Sequence, residues 1–176
     1  LIMRFMAGES QGGVEFDSLL RAQELVMLFA HLDAFIADSI KVMCMVEPKV
    51  LSCKKTISWE EVVNASDREA LLTGMLEKYV YELGWKTLKD RVSYLESSHG
   101  LSLRTPAAEL EDLEEAEKLR HLLIHNGGRV SQEYLDRTGR TDVRLDQIVP
   151  VEEGYLSGLR DKVRFLCGDI FVVVSK

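Results

Sequence analysis

Apolar residues return at helical spacing along most of the chain. Leu19, Leu20, Leu25, Leu28, Phe29, Leu32, Phe35, Ile36 and Ile40 follow the three-and-four rhythm of a helix, and nothing breaks it before Pro48. The pattern predicts one long helix from about Phe16 to Val46. A short helix is expected around Ile57–Val62, where Ser58 and Glu61 stand at capping-box spacing. Ser66-Asp67-Arg68-Glu69 repeats that signature and opens a helix to Leu83, with Gly84 as its stop. Trp85 to Ser98 continues with Trp85, Leu88, Val92 and Leu95 on one face. Thr105-Pro106 is a start signal, an N-cap followed by Pro at the first helical position. The acids that follow it suit the positive end of the helix dipole. Leu110, Leu113, Leu119, Leu122 and Leu123 carry this helix to Asn126-Gly127-Gly128, which ends it. A further short helix is expected over Ser131–Arg137, and Pro150 introduces a last one to about Val173; residues 170–174 have the composition of a strand, but helix is the expectation. Together these elements predict an all-α protein, an up-and-down bundle of four or five main helices with a short extra helix after the glycine pair.

Composition narrows the class. At 176 residues, 46% hydrophobic and 29% charged, the chain has room for one core and the make-up of an ordinary globular domain. Residues 15–176 read as that domain, and residues 1–14 as a disordered or extraneous leader. The chain opens on Leu rather than Met, and the apolar start of LIMRFMAGES is too brief for a signal peptide. No apolar run approaches the ~20 residues that cross a bilayer, so no membrane partner is expected. Three cysteines, Cys44, Cys53 and Cys167, are an odd number without CxxC spacing. That fits free thiols in a reducing cytoplasm better than disulfides or a zinc site.

A net charge of −7 argues against coating nucleic acid by bulk electrostatics. The charge is unevenly spread, however. Glu109, Glu111, Asp112, Glu114, Glu115 and Glu117 occupy a stretch without a base, whereas Lys118, Arg120, Arg129, Arg137, Arg140 and Arg144 face only Glu133, Asp136 and Asp142 in the next. Arg120 and His125 lie at that boundary. Arg is a permanent cation that holds phosphate through two donors, and His exchanges protons near neutrality. The pair is what metal-free RNA cleavage requires, a base for the 2′-hydroxyl and a cation for the pentacoordinate phosphate. Five residues apart, they differ by about 140° around a helix of 3.6 residues per turn, so one helix does not stack them on one face. Arg and His near a helix C-terminus also favour the dipole and the last carbonyls, and on spacing alone that is the better-supported reading, since R-x4-H is a short pattern that occurs by accident. His121 and His125 have the i, i+4 spacing of a metal pair, but position 122 is Leu and no third ligand is in view, so neither metal nor cofactor is expected. The aromatics Phe29, Phe35, Trp59, Trp85, Phe165 and Phe171 fall at core spacing, and Tyr134, beside Arg129 and Arg137, is the one aromatic placed to touch a base. There is no phosphate loop, dinucleotide fingerprint or GxSxG.

The stretch Arg120-His121-Leu-Leu-Ile-His125-Asn126-Gly127-Gly128 resembles the R-polar-x3-H motif of HEPN domains, and among them the RiboL-PSP-HEPN-like prokaryotic branch, in which Asn-Gly follows the His. Lys54-Lys55-Thr56-Ile57-Ser58-Trp59 and the Leu- and Phe-rich first helix are similar to the same branch. The resemblance implies a helical bundle that dimerises, with two motifs meeting in a shared groove. It further implies metal-independent endoribonuclease activity that leaves a 2′,3′-cyclic phosphate. Arg120 would then stabilise the transition state and His125 act as general acid/base. His121 and Asn126 would bind or orient RNA, joined by Arg129 and Tyr134. A toxin–antitoxin or phage-defence setting follows, with an antitoxin as a further partner. The same scaffold also serves as a non-catalytic dimerisation or RNA-binding module, and that alternative stays open.

Overall fold

The structure is a computed structural model that describes residues 12–47, 56–99 and 102–175. Within them the protein is all-helical, with seven helices and no strand, the one β-type feature being an isolated antiparallel bridge between Arg129 and Ile148. The helices are α1 (Gly12–Val46), α2 (Trp59–Asn64), α3 (Arg68–Gly84), α4 (Leu88–His99), α5 (Ala107–Asn126), α6 (Gln132–Thr138) and α7 (Glu153–Val174). Helix α1 starts inside the expected leader; residues 1–11 and the Lys54-Lys55 part of the resemblance lie outside the described residues. The 170–174 segment finishes as helix.

The chain divides into two compact units. The first combines residues up to His31 with Pro106–Phe165, the second Leu32–Thr105 with Leu166 onward. In the first, Leu25 and Phe29 of α1, Leu113, Ala116, Leu119 and Leu122 of α5, and Leu156, Leu159 and Val163 of α7 are buried. In the second, Leu32, Ile36 and Ile40 of α1, Leu76 of α3, Leu88, Val92 and Leu95 of α4, and Leu166 and Ile170 of α7 are buried. These stripes at spacing three and four are what drive short polar helices to form at all, since an isolated helix is marginal in water.

Capping follows the sequence at α2, where Ser58 and Glu61 form a reciprocal capping box. At α3 the cap is Asp67, one residue later than the Ser66 signature suggested: its carboxylate accepts from the Ala70 N–H at 2.8 Å, while Ser66 donates to it. Four aromatics expected in the core are exposed. Trp59 heads a two-turn helix with no buried residue, and Trp85 is the residue after α3, set edge-on to Tyr81 at 6.0 Å. Phe165 and Phe171 fall off the α7 stripe formed by Leu156, Leu159, Val163, Leu166 and Ile170. Phe29 is buried as expected.

Thr105 does not cap α5. The position before the helix is taken by Pro106, without a side-chain cap, and Thr105 turns to Asp169 of α7. The buried Asp169 carboxylate accepts from the backbone N–H groups of Arg104 and Thr105 (3.0 Å for Thr105), from the Thr105 hydroxyl at 3.3 Å and from Arg104 Nε at 3.2 Å. Burial pushes its pKa up, but these donors outweigh burial and the net shift is downward. The charged carboxylate therefore stabilises the fold fully above its unfolded pKa of about 4, and the contribution is lost as pH falls through the lower folded value. Asp169→Ala leaves two backbone donors without their acceptor and should cost roughly 2–5 kcal/mol in urea unfolding at pH 7. The gap to wild type should narrow below pH 4. A variant with the wild-type midpoint at pH 7 would show that Asp169 pins nothing.

Candidate functional site

Helix α5 sets the site. Its acids begin in the first turn with Glu109, and its last turn carries His125, an arrangement the dipole favours at both ends. The helix stops because Gly127 adopts a left-handed conformation (φ 61°). The Gly127 and Gly128 N–H groups bond the Leu123 and Leu122 carbonyls at 3.1 and 3.2 Å. Gly128 is also left-handed (φ 78°) and buried, and a Cβ there would sit 3.1 Å from Leu123 Cδ2. The chain then pairs briefly with residues 146–149: Val130 N–H to the Gln147 carbonyl at 2.8 Å, Asp146 N–H to Val130 at 2.9 Å and Val149 N–H to Gly128 at 3.0 Å. Ser131 follows and caps α6, its hydroxyl accepting from Tyr134 N–H at 3.2 Å.

Between α5 and α6 this geometry leaves a cleft of about 370 Å³, counting the space open to solvent. Helix α5 contributes Lys118, His121, His125 and Asn126; the α6 side contributes Ser131, Glu133, Tyr134 and Arg137. The His121 and His125 rings lie 4.2 Å apart, centroid to centroid, with 42° between their planes. Burial lowers the His121 pKa, and the neighbouring His125 and Arg137 charges lower it further against the opposing pull of Glu133. The neutral form of His121, able to accept a hydrogen bond, is thereby favoured. Arg137 lies 3.6 Å from Glu133 at exposed positions, and the half-buried Lys118 lies 2.5 Å from Glu115; surface pairs of this kind contribute little to stability.

Of the residues singled out in the sequence, the structure brings His121, His125, Asn126 and Tyr134 to this cleft. Arg120 is half-buried and does not border it, as the 140° offset requires. Arg129 also lies elsewhere, with its guanidinium donating to the Asp146 carbonyl at 3.2 Å beyond the glycine turn. Tyr134 is buried, and its hydroxyl accepts from Arg140 at 3.4 Å, so it serves as a wall of the cleft and not as a free platform for a base. Lys118 and Arg137 are the cations that sequence reasoning left out. For Lys118 a signal existed: three and seven residues before His121 and His125, it shares their helix face. For Arg137 it did not, because α6 meets α5 only through the turn. Among the described residues, no three His, Cys, Asp or Glu side chains stand together as a metal site, and no helix is long and apolar enough to cross a membrane.

In comparisons with known proteins, no family model matches the chain, and neither a curated protein nor a solved structure does. The site must therefore speak through its own geometry.

A proton titration by NMR checks the electrostatics. The His121 midpoint should fall below the ordinary histidine value of about 6.5, and His125→Gln, which removes a like charge, should raise it. A midpoint at or above the ordinary value in the wild type would contradict the burial and charge environment described.

Proposed function

We propose that the protein is a metal-independent endoribonuclease of the HEPN type, with its reaction centre at the α5–α6 cleft. The observation that carries this reading is the imidazole pair, two rings 4.2 Å apart in an open cleft rimmed by Lys118 and Arg137. Proton transfer and phosphate binding are the two tasks of RNA transesterification, and the cleft holds groups for both.

In this reaction His125 takes the proton of a ribose 2′-hydroxyl, the 2′-oxygen attacks the adjacent phosphorus, and the bond to the 5′-oxygen of the next nucleotide breaks. That oxygen leaves with a proton returned by an imidazolium, and the 2′,3′-cyclic phosphate remains. His121 and Asn126 bind and orient the strand. The charge on phosphorus requires a cation closer than the rim, and Arg120 has that role in the resembling family. Since Arg120 does not border its own chain's cleft, it acts from a second copy, which makes the functional form a homodimer. A toxin–antitoxin or phage-defence setting in the cytoplasm, with an antitoxin as partner, extends the same resemblance.

One observation favours a second reading. Arg120 is half-buried, as a residue tied into its own chain would be, and a cleft without it binds RNA or a nucleotide without cutting. In that case the protein is a helical binding and dimerisation module.

Incubation with total cellular RNA in EDTA separates the two. Wild type should cleave and leave cyclic-phosphate ends, while His125→Ala and Arg120→Ala should each lose at least about a hundredfold in rate, the usual scale of acid–base or electrostatic assistance. Light scattering should give roughly twice the 20.0 kDa of one chain. RNA that is bound but left intact by all three proteins favours the binding module, and a monomer rules out the composite centre.

A further inference from the structure

A second hollow, of about 1600 Å³ with the space open to solvent, is lined in part by the glycine turn in the same unit. About 570 Å³ of it admits water-sized molecules, within the roughly 300–1,000 Å³ of small-molecule sites, so this groove has room for a single base. Leu19, Val26 and Met27 of α1 form one wall, and Leu123 and Ile148 form the other. Met27 and Ile148 are each more than half exposed, 52% and 56%, so this apolar surface is not sealed by the fold. Gln23 and Asn126 add carboxamides that both donate and accept. Arg129 is the one charged side chain among the described lining residues, and no carboxylate is among them. In a chain of net charge −7, a groove whose one charged lining residue among those described is a guanidinium is complementary to an anion. Asn126 borders this groove and the histidine cleft alike, so the two hollows are neighbours.

We propose that this groove is the base-binding subsite for an unpaired nucleotide of a single-stranded RNA, whose adjoining phosphate lies at His125. The proposal rests on the reading of the protein as one that handles RNA. Apolar walls accept the faces of an extruded base, Gln23 and Asn126 meet its hydrogen-bonding edge, and Arg129 pairs with a phosphate along the strand. A base stacked in a duplex has neither face free and does not enter.

Fluorescence anisotropy with a labelled 2′-O-methyl hexa-adenylate, which lacks the nucleophile and cannot be cut, tests this on the full chain. The same strand annealed to its complement and an abasic hexamer are the comparisons. The single strand should bind, and both comparisons should bind at least about tenfold more weakly. Ala22→Trp, which fills the groove from α1, should weaken single-strand binding about tenfold while the melting temperature holds. Arg129→Gln should lower the salt dependence of binding by about one phosphate contact. Equal binding of the three strands, no binding at all, or unaltered binding by both variants overturns the proposal. So does a leucine–serine amphipathic helix that binds where the strand does not, which would assign the groove to a protein partner. The two readings fail separately: strand binding without any cleavage ends the nuclease and leaves the subsite, whereas cleavage with base-independent binding ends the subsite and leaves the nuclease.

Discussion

The left-handed turn at Gly127 and Gly128 is the constraint on which the geometry of the histidine cleft and its surroundings depends. Gly127 ends α5 immediately after His125 and Asn126, and Gly128 fits its backbone against Leu123 where a Cβ would press to 3.1 Å. A side-chain-bearing residue at Gly128 would pay for a positive φ as well as that overlap. Everything nearby follows from the turn. The chain leaves it toward the short pairing with residues 146–149, which delivers Ser131 to the start of α6 and so closes the far wall of the histidine cleft. The same turn lines part of the apolar groove. The two hollows differ in chemistry, and Asn126, just before the glycines, borders both.

Charge is divided along the same helix. The six acids of α5 between Glu109 and Glu117 precede the cleft along the helix, and the cations Lys118 and Arg137 stand at its rim. Desolvation first, and then the neighbouring imidazole and the Arg137 guanidinium, disfavour protonation of His121. The groove beyond the turn supplies apolar contact, which does not weaken with salt as phosphate contacts do. The net charge of −7 opposes nonspecific association with polyanions.

The helical architecture was legible because it follows from periodicity. The α1 stripe, the Ser58–Glu61 box and the Asn126-Gly127-Gly128 stop are local signals, and each resides where the pattern put it. Errors came where a tertiary partner competed with a local role. Thr105 has the residue type of an N-cap, yet the buried Asp169, sixty-four positions away, holds its hydroxyl. Trp59 and Trp85 sit at helix ends, where spacing no longer reports a face, and both are exposed. At the candidate site, His121 and His125 were readable from i, i+4 spacing, and the separation of Arg120 from the cleft followed from helix geometry. Arg137 was not readable, because its approach depends on a turn whose direction the residues Asn-Gly-Gly do not specify.

The central claim is that His125 of one chain works with Arg120 of another. Mixing purified Arg120→Ala and His125→Ala proteins under conditions that allow subunit exchange tests it most directly, with RNA cleavage in EDTA as the readout. In a mixed dimer one centre has lost both residues and the other has kept both, so two inactive proteins should regain activity on mixing, toward about half of the wild-type rate per mixed dimer. A mixture as inactive as its components, with mixed dimers shown to form, would contradict the shared centre.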